Sequence, residues 1–331
     1  MSRMKTFLLW ALFIAPLTGP FSAKADVNMK DASYFKTWID LEIRKDTHIF
    51  QLRRTYNSRS LHPGLFGFGW CSDFEKSLDL NRSDQILLQD CRLNAPIRFK
   101  KIKENLYESP NKETLELKEN HYLRTTTEKT FQKYNKLGKL LSLIDTAGDH
   151  LDLSYSGNGF LQKIIFKDIE QNINFDLNHR HIQVIKSKNG QEISYRYENN
   201  NLTQVNNSWK NIFLYSYDEF HNLTRIQAPQ GGQEVLTYDA EKDWILRIDS
   251  ANGTLNKCAE IFHYYQKKDM SYVSTAEKRC AGKSIAKTIY EFRYRKRADG
   301  SKYLEQVNVT QGNKIQRISY QNKPGLLNES P

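Results

Sequence analysis

The sequence predicts an all-β protein in which antiparallel β-hairpins repeat along the chain and join into a curled sheet or a partial shell. Three observations predict it. An aliphatic pair recurs about every 21 residues, an aromatic residue stands five to seven positions ahead of each pair, and turn-forming residues separate the apolar runs. Four segments follow from these patterns: a leader over residues 1–25, an entry module over 26–125, hairpin repeats over 126–253, and longer hairpins with a frayed tail over 254–331.

The leader comes first. Arg3 and Lys5 precede the apolar run 7–17, and Ala23-Lys24-Ala25 supplies a small-x-small cleavage pattern, which predicts a secretory signal peptide. Pro16 and Pro20 interrupt the apolar stretch, which is shorter than the roughly 20 residues that cross a bilayer. No second long apolar stretch follows and Asp26 opens the expected mature chain, so neither a transmembrane segment nor a lipid anchor is expected. The expected destination is the periplasm or the medium. Loss of Arg3, Lys5 and Lys24 lowers the net charge from +11 to +8. That surplus suits anionic envelope glycans, lipid headgroups or nucleic acid. Because the charges are scattered, they read as a solvated basic surface, and nucleic acid is not an expected partner.

In the entry module, Gly64, Gly67 and Gly69 permit turns or close backbone approach, and Trp70 reads as a buried anchor. Cys71 and Cys91 lie here, while Cys258 and Cys280 lie in the last segment. An even number of cysteines in an exported chain predicts disulfides. Neighbouring pairs, 20 and 22 residues apart, suit cross-links within local hairpins, and they are the expected choice among the three connectivities open to four cysteines. Each bridge is worth about 3 kcal/mol. No C-x2-C pair offers close-spaced zinc ligands.

The repeats carry the pairs Leu140/Leu143, Leu161/Ile164, Ile182/Ile185, Leu202/Val205, Leu223/Ile226 and Ile245/Ile248. Their aromatic partners are Tyr134, Tyr155, Phe175, Tyr197, Tyr217 and Tyr238. Residues 212–217 alternate so that Phe213, Tyr215 and Tyr217 share one strand face, and turn chemistry brackets the next strand, giving two strands and two turns per period. A three-residue aliphatic spacing breaks strict alternation, which a β-bulge in each second strand explains. Repeated bulges curl a sheet.

Residues 217–226, Tyr217-Asp218-Glu219-Phe220-His221-Asn222-Leu223-Thr224-Arg225-Ile226, resemble the YD repeat, and Tyr238-Asp239 begins the next copy. Other copies are degenerate: Asn135, Ser156 and Glu198 follow their tyrosines, and Phe175 replaces one. Upstream, Arg54-Thr55-Tyr56-Asn57-Ser58 and Gly67-Phe68-Gly69-Trp70 are similar to the entry module of RHS proteins. Together the two resemblances span roughly residues 45–250 and imply an RHS/YD-repeat member with an RHS-like partial shell. Large RHS proteins enclose a C-terminal toxin and release it by an aspartate-dependent self-cleavage. This sequence has no Asp-Pro dipeptide and no recognisable shell-closing motif, so the resemblance implies the architecture rather than that activity.

After residue 253 the register loosens, and residues 290–294, 303–307 and 315–320 read as further strands. The densest basic cluster, Arg293, Arg295, Lys296 and Arg297, lies here beside Tyr290, Phe292 and Tyr294. On an alternating strand the aromatics and arginines face opposite sides.

No catalytic constellation is legible. His179 and His181 are the best metal candidates, being two apart as strand-face ligands are, but a polar turn accounts for them as well, and no metal or cofactor is expected. Asp145, Asp218, Asp239 and Asp249 fall at predicted strand ends, where carboxylates cap turn amides. H-E-x-x-H, G-x-S-x-G and P-loop patterns do not occur. Trp209 and Trp244 are the candidate ligand-binding residues, as rings on which a glycan can stack. The expectation is therefore an exported, non-catalytic envelope scaffold that binds surface glycans or another envelope component. Two alternatives stand beside it: a partial shell that assembles with a toxin or another RHS protein, and an exported hydrolase whose site has no recognisable pattern.

Overall fold

A computed structural model describes residues 27–45, 48–82, 84–91, 93, 96–166, 169–175, 181–188, 190–252, 256–267, 271–298, 300 and 302–320. Predicted features in the leader, and His179, lie outside them. The described chain is nearly all antiparallel β-strand, with one short 3-10 turn at Pro229–Gly231. Its main sheet is a meander in which each strand pairs with the next, from Ser77–Asp79 to Lys314–Ser319. No pairing joins those two outer strands among the described residues, so the sheet is curled rather than closed. The first outer strand instead touches an early hairpin, by the bridge Ser77–Lys139 and a bond from Leu78 N–H to Gly138 O of 2.8 Å.

The curl has a repeated local cause. In each unit the strand pairing slips by one residue: Tyr155 pairs with Leu161 while Ser154 pairs with Lys163, leaving Gln162 as the extra residue. The same slip isolates Leu141, Gln183, Thr203, Thr224 and Leu246, and again Glu305 farther along. The expected bulge is thus present in every predicted unit. It turns both members of an aliphatic pair to one face, where Leu140, Ile182, Ile185, Leu202, Val205, Leu223 and Ile245 are fully buried.

The tyrosines ahead of the pairs fasten unit to unit. Tyr155, Tyr197, Tyr217 and Tyr238 donate their hydroxyls to the carbonyls of Leu140, Ile182, Leu202 and Leu223, at 2.6–3.1 Å. Tyr264 donates to Ile245 O at 2.8 Å in the same way. Each bond gives the carbonyl of the first aliphatic residue in the preceding unit a hydrogen-bond donor. Turn aspartates act as expected at three sites: Asp145, Asp218 and Asp239 each accept two turn amides through Oδ1. Asp249 differs, because it lies within the strand Ile245–Asn252 and accepts from the Arg247 guanidinium at 2.7 Å.

A second sheet holds Ser33–Lys45, His48–Asn57 and Trp70–Ser72, with Val27–Asn28 at its edge. It lies against the inner face of the curl, and the apolar residues of both sheets form one core. Both expected disulfides are present. Cys71–Cys91 ties this second sheet to the turn after Gln85–Gln89, and Cys258–Cys280 joins two directly paired residues of neighbouring strands.

Candidate functional site

An elaborate polar arrangement among the described residues lies between the two sheets. The strand Ser33–Lys45 carries a bulge at Asp40, which places that carboxylate beside Arg54 of the paired strand. Arg54 Nε donates to Asp40 Oδ2 at 2.7 Å, and Arg54 Nη2 donates to Tyr215 Oη at 2.7 Å. Tyr195 donates to the same carboxylate oxygen at 3.0 Å. Both charged side chains are excluded from water. The guanidinium carbon sits 5.1, 4.7 and 5.2 Å from the rings of Trp38, Trp70 and Tyr215, so an aromatic box supplies part of the solvation that water would give. Burial pushes the Asp40 carboxyl above the usual carboxylate range, against the attraction of Arg54. Burial likewise drives the phenol of Tyr195 well above its ordinary value. A phenol held protonated this firmly donates a hydrogen bond and offers no nucleophile or base near neutral pH.

Around this centre the entry residues engage successive units in reverse order along the chain. Met29 O accepts from Ser274 Oγ, Ala32 O from Ile245 N–H, Tyr56 Oη from Leu223 N–H and Leu65 O from Ile182 N–H, at 2.7–3.1 Å. Phe68 N–H donates to Asn200 O at 2.9 Å, and Trp70 Nε1 donates to Tyr217 Oη at 2.8 Å. Leu223 and Ile245 are first members of aliphatic pairs, as is Ile182. Each opens its strand next to the bulge, and its amide donates to the entry module. Gly67 sits at φ +96° with its α-carbon against the repeat, where a Cβ would fall 2.7 Å from Asn200 O. This is the close approach expected of the glycines, and Trp70 is the fully buried anchor expected of it. Glu75 holds the glycine segment by accepting from Leu65 and Ser72 amides at 2.8 and 2.9 Å.

The candidate ligand residues are not brought together. Turns of a meander alternate between its two ends. Trp209, in the turn 207–211, and Trp244, ending the turn 239–244, therefore lie at opposite ends. Trp209 is 50% exposed. Trp244 is half-buried against Tyr264, with Lys242 Nζ 4.6 Å from its ring. His181 is buried with its ring 4.6 Å from that of Tyr197. Among the described residues no three His, Cys, Asp or Glu side chains converge as metal ligands would. No helix among them is long and apolar enough to cross a membrane.

Residues 290–295 alternate as expected. Phe292 and Tyr294 are buried on the inner face while Arg293 and Arg295 are exposed on the outer one. Sequence reasoning passed over Arg54, Asp40, Tyr195 and Tyr215. Asp40, two residues after Trp38 and so on the face that strict alternation shares with Tyr34 and Trp38, is the signal that points to them.

A family model described as a domain of unknown function, DUF6531, matches residues 25–94, which include the second sheet and the glycine segment. None of the curated proteins matches the chain. The crystal structure of TcdB2-TccC3-TEV is similar with a TM-score of 0.38 and 9% identity, over 85% of this chain and 19% of that one. TcdB2-TccC3-Cdc42 gives 0.27 and 12%, over 73% and 16%. TcdB2-TccC3 without its hypervariable C-terminal region gives 0.25 and 10%, over 73% and 17%. The chain spans less than a fifth of the length of the solved structures it matches.

Proposed function

We propose that the chain is an exported, non-catalytic scaffold related to RHS proteins, whose ligands meet its outer surface. The observation that carries this reading is the occupancy of the inner face. Arg54, Tyr56, Phe66 and Trp70 are fully buried there between the two sheets, and the space that a shell would offer a folded cargo is filled by the chain's own entry module. The entry motif and the YD-like tyrosines both have structural duties in that packing, which leaves the outer face and the turns for recognition. Trp209 is exposed, as are Phe220 and Tyr265, and is the ring offered to an envelope glycan.

The test is to titrate the chain against isolated envelope glycans over a range of salt. Saturable binding that Trp209→Ala weakens at least tenfold is expected. No saturable binding at any ionic strength would contradict the glycan assignment, and release of a folded cargo or hydrolysis of the glycan would contradict the scaffold. A shell part joined to another chain is a second reading. It is favoured by the strand Lys314–Ser319, which among the described strands pairs only with Lys302–Gln311. Co-purification from native envelope of a partner lost when that strand receives a proline at Gln316 would support it.

A further inference from the structure

Alternation of turns sorts charges that are scattered in the sequence. Over residues 201–252, one end of the sheet carries Asp218, Glu219, Asp239, Glu241 and Asp243 against Lys242, and farther along Lys267, after Asn256–Gln266, and Arg297, after Lys283–Lys296, stand at that same end. The other end, which in the first unit holds Asp145 and Asp149, carries Lys210, Lys283 and Lys314 in or beside the turns 207–211, 281–282 and 312–313, and no acid stands in those turns. Residues 283–320 contain nine Lys or Arg against three Asp or Glu; Arg295, Lys296, Arg297 and Lys302 flank the connection between Lys283–Lys296 and Lys302–Gln311 at the first end, while Lys283, Lys287 and Lys314 lie toward the second.

That end also projects. Pairing of Lys283–Lys296 with Lys302–Gln311 stops at Thr288 and Gln311, so residues 283–287 extend beyond their neighbour, paired only with Tyr272–Cys280. Ile285 on the projection is 58% exposed and Ile315, beside the next turn at the same end, is 68% exposed. Lys283, Lys287 and Lys314 stand exposed around them. Glu277, which stands directly opposite Lys287 on the paired strand, also accepts from Arg279 at 2.8 Å and is shared between the two bases. Large aliphatic side chains held out on hairpin ends among lysines match a surface with anionic phosphates outside and hydrocarbon beneath.

We propose that this end of the sheet seats on an anionic lipid surface, with Ile285 and Ile315 entering the headgroup layer and Lys283, Lys287 and Lys314 meeting lipid phosphates. A soluble polyanion would use the lysines and leave the isoleucines idle. A single-stranded nucleic acid would need exposed rings, whereas Phe292 and Tyr294 of this strand are buried on the inner face. The proposal rests on the exported-scaffold reading for its access to such a surface.

The chain from Asp26 onward, which contains every described residue, is sedimented with vesicles of phosphatidylcholine alone or with roughly 30% phosphatidylglycerol added. Salt-sensitive binding to the anionic vesicles is expected. At about 1 kcal/mol per lysine near such a surface, Lys283→Gln/Lys287→Gln/Lys314→Gln lowers it about 100-fold, while the triple Lys→Arg change retains it. Ile285→Ser/Ile315→Ser lowers it about tenfold or more. Circular dichroism and thermal unfolding of each variant stay unchanged. Equal sedimentation with phosphatidylcholine alone, or wild-type binding by either set of variants, would overturn the proposal. Lysine dependence without isoleucine dependence, with equal binding to dextran sulfate or single-stranded DNA, would assign this end to a soluble polyanion and overturn it too. Failure here leaves the scaffold reading standing, because the glycan and cargo experiments test that reading through other residues.

Discussion

Arg54→Met keeps much of the apolar length of the side chain and removes its charge, so it isolates what the buried guanidinium contributes. In the folded protein, Asp40 Oδ2 would lose its 2.7 Å bond and Tyr215 Oη its donor, in a site with no water contact. Removing one partner of a buried ion pair costs about 3–5 kcal/mol, a large share of the roughly 5–15 kcal/mol that holds a typical protein folded. Replacing both charges in Asp40→Leu/Arg54→Met removes the uncompensated charge and should recover most of the loss, since apolar replacement of a whole buried pair is often neutral or better.

The penalty also depends on pH with a definite sign. Burial already raises the Asp40 carboxyl, and without Arg54 only the hydrogen bond from Tyr195 opposes that rise. The folded variant then binds this proton more tightly than the unfolded chain, so the penalty is largest at neutral pH and shrinks as pH falls through the folded value. Urea unfolding followed by tryptophan fluorescence, with disulfides intact, reads the effect as a shift in midpoint at constant slope. A loss below about 1 kcal/mol, a penalty that ignores pH, or a double variant no better than the sum of the singles would refute the reasoning.

Tyr217→Phe strands both Leu202 O and the buried Trp70 indole N–H, for about 2–3 kcal/mol, whereas Tyr264→Phe removes one bond to Ile245 O for about 1 kcal/mol. Equal midpoint shifts for the two variants would contradict the assigned partners. Alkaline unfolding should be delayed and cooperative. Burial pushes Tyr155 up to about 12 and raises Tyr217, Tyr238 and Tyr264 as well, above the phenol value of about 10 in an unfolded chain. The stabilisation is therefore complete below about pH 10 and is lost as pH rises through the folded values. Phenolate absorbance followed beside circular dichroism checks this, and independent titration of these phenols near pH 10 in an intact fold would contradict it.

The hairpin period was legible because its signal is carried by side chains. Leu223 and Ile226 must share a face, and the only way to place residues three apart on one strand face is an extra residue between them, which is Thr224. Trp70 and Gly67 were legible for the same reason, since a large ring and a residue without Cβ announce burial and close approach. The docking of the entry module was not legible. Ile182 N–H to Leu65 O and Ile245 N–H to Ala32 O join backbone groups, which leave no mark on side-chain identity. Arg54 was hidden because an arginine in a polar motif reads as exposed, and its partner Asp40 lies 14 residues away across a hairpin. The basic end was hidden as well. Lys283, Lys287 and Lys314 look scattered until the alternation of turns assigns each to an end, and that requires knowing every intervening strand.

Amide hydrogen exchange at Ile182, Leu223 and Ile245 tests the clamped inner face most directly. At these positions, each just before a bulged residue, the N–H groups donate to Leu65 O, Tyr56 Oη and Ala32 O of the entry module. A docked module predicts that all three exchange only on global unfolding, as slowly as the amides within the central strand ladder. Fast exchange at these three amides, with the neighbouring ladder protected, would show the inner face open and contradict the account.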